Sequence, residues 1–376
     1  MEIKTLTCLR FLLAIWVILF HLSAAGAPLF LTVSALPVVV RGLINTGYLA
    51  VELFFVLSGF LLGLRYSGTN WTLPTIRKYV LGRIGKIYPV HCLGLLMLVP
   101  FSLYSVARSA TSGIDTFFSY CLASLLIQAW VPSKALVPNP PAWSLAVEVA
   151  CYALFPILLR VHKRAASALV ELLLAWGATI VPFIIIRFVL AAPFADISAA
   201  SHPTDIDSVA KVILYNPIFH VAEFYAGIAM TNLWQSSPEP RFTRLAPTAL
   251  FLLCGVELCI IVKFIDSIPL ALLHNGLLLP LHCGLILLLA KIDLIGSSFP
   301  LRVLLLLGRS SYSLYILQVP AALWLRSTTK MVFGGTPTGA LWSTCYLFIV
   351  VGLSILVYHW FEEPVRKLLV SNSLNK

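Results

Sequence analysis

The sequence predicts an all-α, polytopic membrane protein of about ten transmembrane helices plus a short re-entrant segment, with both termini cytoplasmic. Three observations carry that expectation. Of 376 residues, 60% are hydrophobic and only 11% are charged, whereas a soluble domain is about a quarter charged. Too few polar side chains remain to coat a surface facing water. Apolar runs of about 20 residues, the length needed to cross a bilayer, recur along the whole chain. Finally, most of the 26 Lys and Arg residues fall in alternate loops when the N-terminus is placed inside, as the positive-inside bias requires. That bias explains the net charge of +11 by the membrane, and no nucleic-acid partner is expected.

The expected spans run over residues 9–27, 46–64, 87–106, 142–160, 166–190, 212–233, 246–264, 270–290, 310–326 and 340–361. The first resembles a signal peptide in its basic start, but no convincing small-residue cleavage site follows, so it is read as a span. The apolar run 117–131 is short and leads into the Pro-rich stretch Pro132–Pro141. A full crossing there would turn Arg160, His162, Lys163 and Arg164 outward. A re-entrant excursion keeps them inside and is the reading adopted. Asp196, Asp205 and Asp207 then share one outer loop. No polar or repetitive stretch is long enough to be a linker, so residues 1–376 are expected to form a single transmembrane domain with no fused extracytoplasmic domain. The eight cysteines form no CxxC pair. They read as small buried hydrophobes, not as disulfide partners or metal ligands.

Ionisable groups within apolar spans cost about 2.5–3.5 kcal/mol each on insertion scales, so each is a candidate for function. The first span carries Arg10 and His21. Their spacing turns a helix about 20° past three full turns and rises about 16 Å, which puts both on one face, Arg10 at the cytoplasmic rim and His21 well inside. Glu52 in the second span and Glu148 in the fourth lie about 8–9 Å below the outer ends of theirs. One imidazole and two carboxylates are thus expected at a similar level. A neutral imidazole can take a proton from an attacking hydroxyl, and a carboxylate can orient it. His21, Glu148 and Glu52 are therefore the candidate catalytic residues. Arg83 and Lys86, neighbours on a helix face between the second and third spans, suit a phosphorylated ligand at the mouth of a polar cavity. His220 and Glu223 are neighbours on another face. His274, His282, His359 and Glu257 are expected to be structural.

Several segments resemble the integral-membrane acyltransferase family three, the bacterial O-acyltransferases that modify surface polysaccharides and related glycoconjugates. LRFLLAIWVILFH carries the family's Arg–His spacing through Arg10 and His21. GYLAVELFFVLSGFLLG resembles its second-span motif, with Glu52 at the acidic position. RIGKIYP resembles the basic motif, with Lys86 where Arg is usual and Tyr88 two residues on. PPAWSLAVEVACYALFP resembles WSLSVE through Trp143, Ser144 and Glu148, and EFYAG matches a later segment through Glu223. LGRSSYSLYILQVP resembles SYSLYLLH-x-P, but Gln318 replaces the usual His. FEEPVRK resembles the closing acidic-x-Pro motif. The matches run in order over residues 9–367.

The resemblance implies a membrane-bound O-acyltransferase with acetyl-CoA as the expected donor, acting on a hydroxyl of a carbohydrate or glycolipid, with an exopolysaccharide or its lipid-linked repeat unit first in order. It implies His21 as catalytic base and Arg10, Arg83 and Lys86, with Tyr88, at the acyl-CoA. It places Glu148 and Trp143 in the active centre, with Ser144 and Glu223 near substrate. Direct transfer and an acyl-histidine both remain open. No permanently bound cofactor and no metal is expected, and the location is the bacterial cytoplasmic (inner) membrane. The alternative is a proton-coupled secondary transporter, which buried His and Glu residues also suit. It leaves the cytoplasmic basic motif unexplained.

Overall fold

The computed structural model describes residues 2–23, 33, 36–164, 167–188, 208–236, 239–264, 267–292, 298–335 and 338–371. Asp196, Asp205 and Asp207 lie outside them. Among the described residues the chain is helical, with turns and no strands. The first half comprises α1 (Lys4–Ser23), α2 (Val38–Asn45), α3 (Leu49–Tyr66), α4 (Leu73–Ala107), α5 (Gly113–Ser124), α6 (Trp143–Arg164) and α7 (Ala168–Phe188). The second comprises α8 (Ser208–Tyr215), α9 (Val221–Ser236), α10 (Glu239–Lys263), α11 (Leu270–His274), α12 (Leu279–Lys291), α13 (Phe299–Arg309), α14 (Ser311–Phe333), α15 (Ala340–Val357) and α16 (Glu363–Ser371).

Among the described residues, seven helical segments are long and apolar enough to cross a membrane: α1, α3, α4, α6, α7, α11 with α12, and α15 with α16. The other three expected spans coincide with α8–α9, α10 and α14. The run after α4 behaves as its length demands. At 12 residues, α5 is about 18 Å long, too short for a hydrocarbon core of about 30 Å. Three 3₁₀ turns follow, at Gln128–Trp130, Pro132–Lys134 and Pro140–Ala142. Gln128 Nε2 donates to the Ala142 carbonyl at 2.9 Å, which ties this excursion to the start of α6.

The bundle is built around α3, whose apolar stretch is 67% buried against 22% for α7. Small residues allow this. A Cβ on Gly59 would stand 1.9 Å from the Phe224 carbonyl oxygen, and one on Gly227 would stand 2.0 Å from that of Val56. Backbone-to-backbone contact of this kind replaces the missing hydrophobic drive between helices in lipid. One core cluster joins α1, α3, α4, α6, α9, α12 and α14, including Leu13, Phe60, Val90, Phe155, Phe224, Ile286 and Ile316.

Two internal prolines are compensated in ways that bear on the site. Pro320 in α14 has no N–H for the Ile316 carbonyl, and Asn139 Nδ2 donates to that oxygen at 3.1 Å. Pro156 in α6 likewise frees the Tyr152 carbonyl, which accepts from the Tyr79 hydroxyl at 2.9 Å. All eight cysteines are free thiols. Only Cys151 and Cys283 are buried, while Cys92, Cys121, Cys254 and Cys259 are exposed on the helix surfaces. The expectation of buried cysteines thus holds for two; lipid is the apolar phase that accommodates thiols on outward faces.

Candidate active site

A cavity of about 520 Å³ lies among the first turns of α1 and the facing parts of α3, α4, α6, α13, α14 and α16. Its lining is more basic than acidic: Arg10, Arg65, Arg83, Lys86, Arg309 and Arg366 against Glu2, Glu148, Glu362 and Glu363. Gly308 makes one wall possible, since a Cβ there would stand 2.0 Å from the Thr7 carbonyl oxygen. That close approach sets Arg309 on Glu2, with guanidinium-to-carboxylate distances of 3.1 and 2.8 Å. The hydrogen bond from Arg309 holds the Glu2 carboxyl below its ordinary pKa.

The basic motif of α4 is anchored from two sides. Lys86 Nζ reaches Glu362 Oε1 at 2.6 Å, and the Ser313 hydroxyl donates to Glu362 Oε2 at 2.6 Å. Lys86 also lies 5.0 Å from the centre of the Tyr312 ring. Arg83 sits over the Tyr152 ring at 5.4 Å. The Tyr152 hydroxyl donates to Glu148 Oε1 at 2.6 Å, and Ser58 approaches the same oxygen at 3.4 Å. The spacing of Glu148 and Tyr152 on α6, one turn apart, brings them together. The Nε atoms of Arg10 and Arg83 are buried without a hydrogen-bond partner. Buried donors are seldom left so, and both residues line the cavity.

Beyond Arg10 and Glu148 the space narrows to about 50 Å³ between Phe54, Phe55, Ser144 and Tyr315. Ser144 Oγ donates to the Pro141 carbonyl at 3.0 Å and lies 3.0 Å from the Tyr315 hydroxyl. Phe54 and Tyr315 meet edge-to-face, ring centres 6.0 Å apart.

Residues 3–359 match the acyltransferase domain family. The chain belongs to that family. This acyltransferase is 23% identical over 385 residues to acyltransferase MdmB of Streptomyces mycarofaciens, with 98% of the chain and 92% of the relative covered. It is 24% identical over 347 residues to the putative peptidoglycan O-acetyltransferase YrhL of Bacillus subtilis, covering 86% of the chain and 51% of that relative, so it spans about half that protein's length. No solved structure matches.

In this acyltransferase the sequence-predicted residues fall into three groups. Arg10, Arg83, Lys86 and Glu148 come together on the main cavity, and Ser144 lines its narrow end. His21 lines neither space. It is partly buried on the last turn of α1, and its Nδ1 is 2.9 Å from Gln318 Oε1. Its partner is therefore an amide, where the sequence suggested a carboxylate.

The third group stands apart. Glu52 Oε1 is 2.9 Å from His282 Nδ1, and His282 Nε2 is 3.1 Å from Glu257 Oε1. The Glu52–His282 contact is an ion pair without hydrogen-bond geometry, so neither Glu52 oxygen has a hydrogen-bond partner. His282 and Glu257, which had no partner in the sequence reading, thus form a buried triad with Glu52. Glu223 pairs with His220 at 3.2 Å, as their spacing predicted. Trp143 packs on Tyr215, His220 and His274 with ring centres 5.1–5.3 Å away. Tyr88 is half-buried in the core surface and does not line the cavity.

The structure adds lining residues that spacing alone did not single out: Ser58, Tyr152, Arg309, Tyr312, Tyr315 and Glu362. Two had a signal. Tyr152 follows Glu148 by one helical turn, and Glu362 is the acid of FEEPVRK.

Proposed function

We propose that the chain is a multi-pass O-acyltransferase of the bacterial inner membrane. It moves an acetyl group from acetyl-CoA to a hydroxyl of a carbohydrate or glycolipid, an exopolysaccharide or its lipid-linked repeat unit in particular. One observation carries the reading: a basic cavity of ligand size beside a small, mainly apolar and aromatic space that shares Arg10 and Glu148 with it. Its 520 Å³ falls in the usual range of about 300–1,000 Å³ for small-molecule sites. Six cationic side chains suit the phosphates of a nucleotide-bearing donor, and the unpartnered Nε atoms of Arg10 and Arg83 are available to it. The narrow end holds about 50 Å³, room for only a few water-sized groups at about 10–15 Å³ each. That matches a short acyl group better than a long one.

With the basic mouth on the cytoplasmic side, Arg10 receives the donor and His21 stands further along the same helix. The acceptor oxygen attacks the thioester carbonyl as His21 Nε2 takes its proton. The C–S bond breaks, and the His21 imidazolium returns the proton to the departing thiolate beside it, which regenerates the neutral base and releases the free thiol. Because His21 lines neither space, the acyl group passes the Phe54–Tyr315 pair before transfer, so that pair rearranges during turnover. The test is transfer from radiolabelled acetyl-CoA in proteoliposomes. His21→Ala should abolish it, and undiminished transfer would remove His21 as the base.

A further inference from the structure

Gln318 occupies the position where the sequence motif leads one to expect histidine, and it is the residue that touches His21. Its surroundings define its orientation. Gln318 is 1% exposed, and its Nε2 donates to the Tyr315 carbonyl at 2.8 Å. Flipping the amide would set oxygen against that carbonyl oxygen and lose the bond. The backbone is pinned as well, since the Tyr346 hydroxyl donates to the Gln318 carbonyl at 2.7 Å. Asn139 holds the neighbouring Ile316 carbonyl that Pro320 leaves free. Gln318 Oε1 is therefore fixed as an acceptor, 2.9 Å from His21 Nδ1.

A neutral imidazole has one N–H and one lone pair, and the partner of one nitrogen decides which is which. We propose that Gln318 is a positioning residue that holds the His21 proton on Nδ1 and so leaves Nε2 as the free base. The inference rests on the reading of His21 as the base. No hydrogen bond engages Nε2 among the described residues, and the residue is partly buried. A histidine at position 318 could donate or accept, and would permit either tautomer of His21. The amide permits one, does not titrate, and keeps its oxygen on Nδ1–H after Nε2 has taken the hydroxyl proton.

The experiment is nitrogen NMR on histidine-labelled, full-length protein in lipid nanodiscs, with the His21 signals identified by their loss in His21→Asn. Transfer from radiolabelled acetyl-CoA is measured on the same samples. Wild-type His21 should show a single tautomer protonated on Nδ1. Gln318→Leu should give mixed tautomers and transfer reduced about 100-fold, within the usual worth of a positioned base. Gln318→His, which can donate or accept, should show both neutral tautomers of His21 and an intermediate rate. A wild-type signal protonated on Nε2 would overturn the proposal, as would Gln318→Leu matching wild type in both readouts. Should the Leu variant fail to fold, the wild-type and His spectra still decide: wild type must show Nδ1–H alone, and Gln318→His both tautomers. Full transfer by His21→Asn would instead defeat the base assignment, whatever tautomer Gln318 selects.

Discussion

Lys86 meets Glu362 at 2.6 Å although 276 positions separate them in the chain. With Ser313 on the other carboxylate oxygen, three distant motifs converge on one acid. Glu362 is 1% exposed and Lys86 22%. Removing one member of a buried pair costs about 3–5 kcal/mol, because the other charge is left unpaired. Glu362→Leu should therefore lower stability by about 3 kcal/mol, read by denaturation in detergent, and adding Lys86→Met should recover most of the loss. A single variant as stable as wild type would show that the pair holds nothing together.

Arg10→Ala and Arg83→Ala should each raise the KM for acetyl-CoA about tenfold or more, since a hydrogen bond to a charged group contributes about 1.5–3 kcal/mol. Donor-dependence curves in proteoliposomes measure this. An unchanged KM in both variants would move the donor away from the cavity.

Glu148 presents its carboxylate between the wide and narrow parts of the cavity. Glu148→Gln should reduce kcat about 100-fold, while Tyr152→Phe, which removes only the bond to Oε1, should do less. Equal rates for wild type and Glu148→Gln would reduce this carboxylate to a packing feature.

Glu52 is bound to a different fate from His21. Its contact with His282, itself on Glu257, makes Glu52→Ala a stability variant, expected to cost about 3 kcal/mol by removing one of the two buried carboxylates that hold this imidazole. Pairing it with His282→Leu should soften the loss. Thermal melts of the four proteins in one detergent would expose additivity, which would argue against coupling.

The Glu2–Arg309 pair supplies a pH dependence. The folded carboxyl titrates below its ordinary value of 4.5 because Arg309 donates to it. Such a group adds stability that is present above the unfolded pKa and lost as pH falls through the folded one. Glu2→Gln should thus be slightly less stable than wild type at neutral pH, and the gap should close in acid. A gap that widens on acidification would contradict the assignment.

Much of this was legible in the residues. The Arg10–His21 spacing set both on one uninterrupted helix, and the basic pair of RIGKIYP lines the cavity as expected. The short apolar run before Pro132 is too short to cross, as read. What the sequence withheld was partnership. Glu52, His21 and Glu148 share a similar depth along their own helices, but depth does not fix which face of α3 meets which neighbour. Gly59 and Gly227 set that rotation, and it turns Glu52 toward α12. The role of Gln318 was hidden for a similar reason, since it depends on an amide orientation that only Tyr315 defines. Tyr88 resembled a ligand residue by position alone, and its helix face turns it into the core surface.

The edge contact of Phe54 and Tyr315 has a consequence for bioenergetics. If the two reagents are held on opposite faces of a coupling membrane, as proposed, a water-filled passage joining them at rest would short-circuit the proton-motive force. The two rings are then the expected seal. Replacing both with alanine should make proteoliposomes leak protons in the absence of substrate, and tight vesicles would show that the seal lies elsewhere.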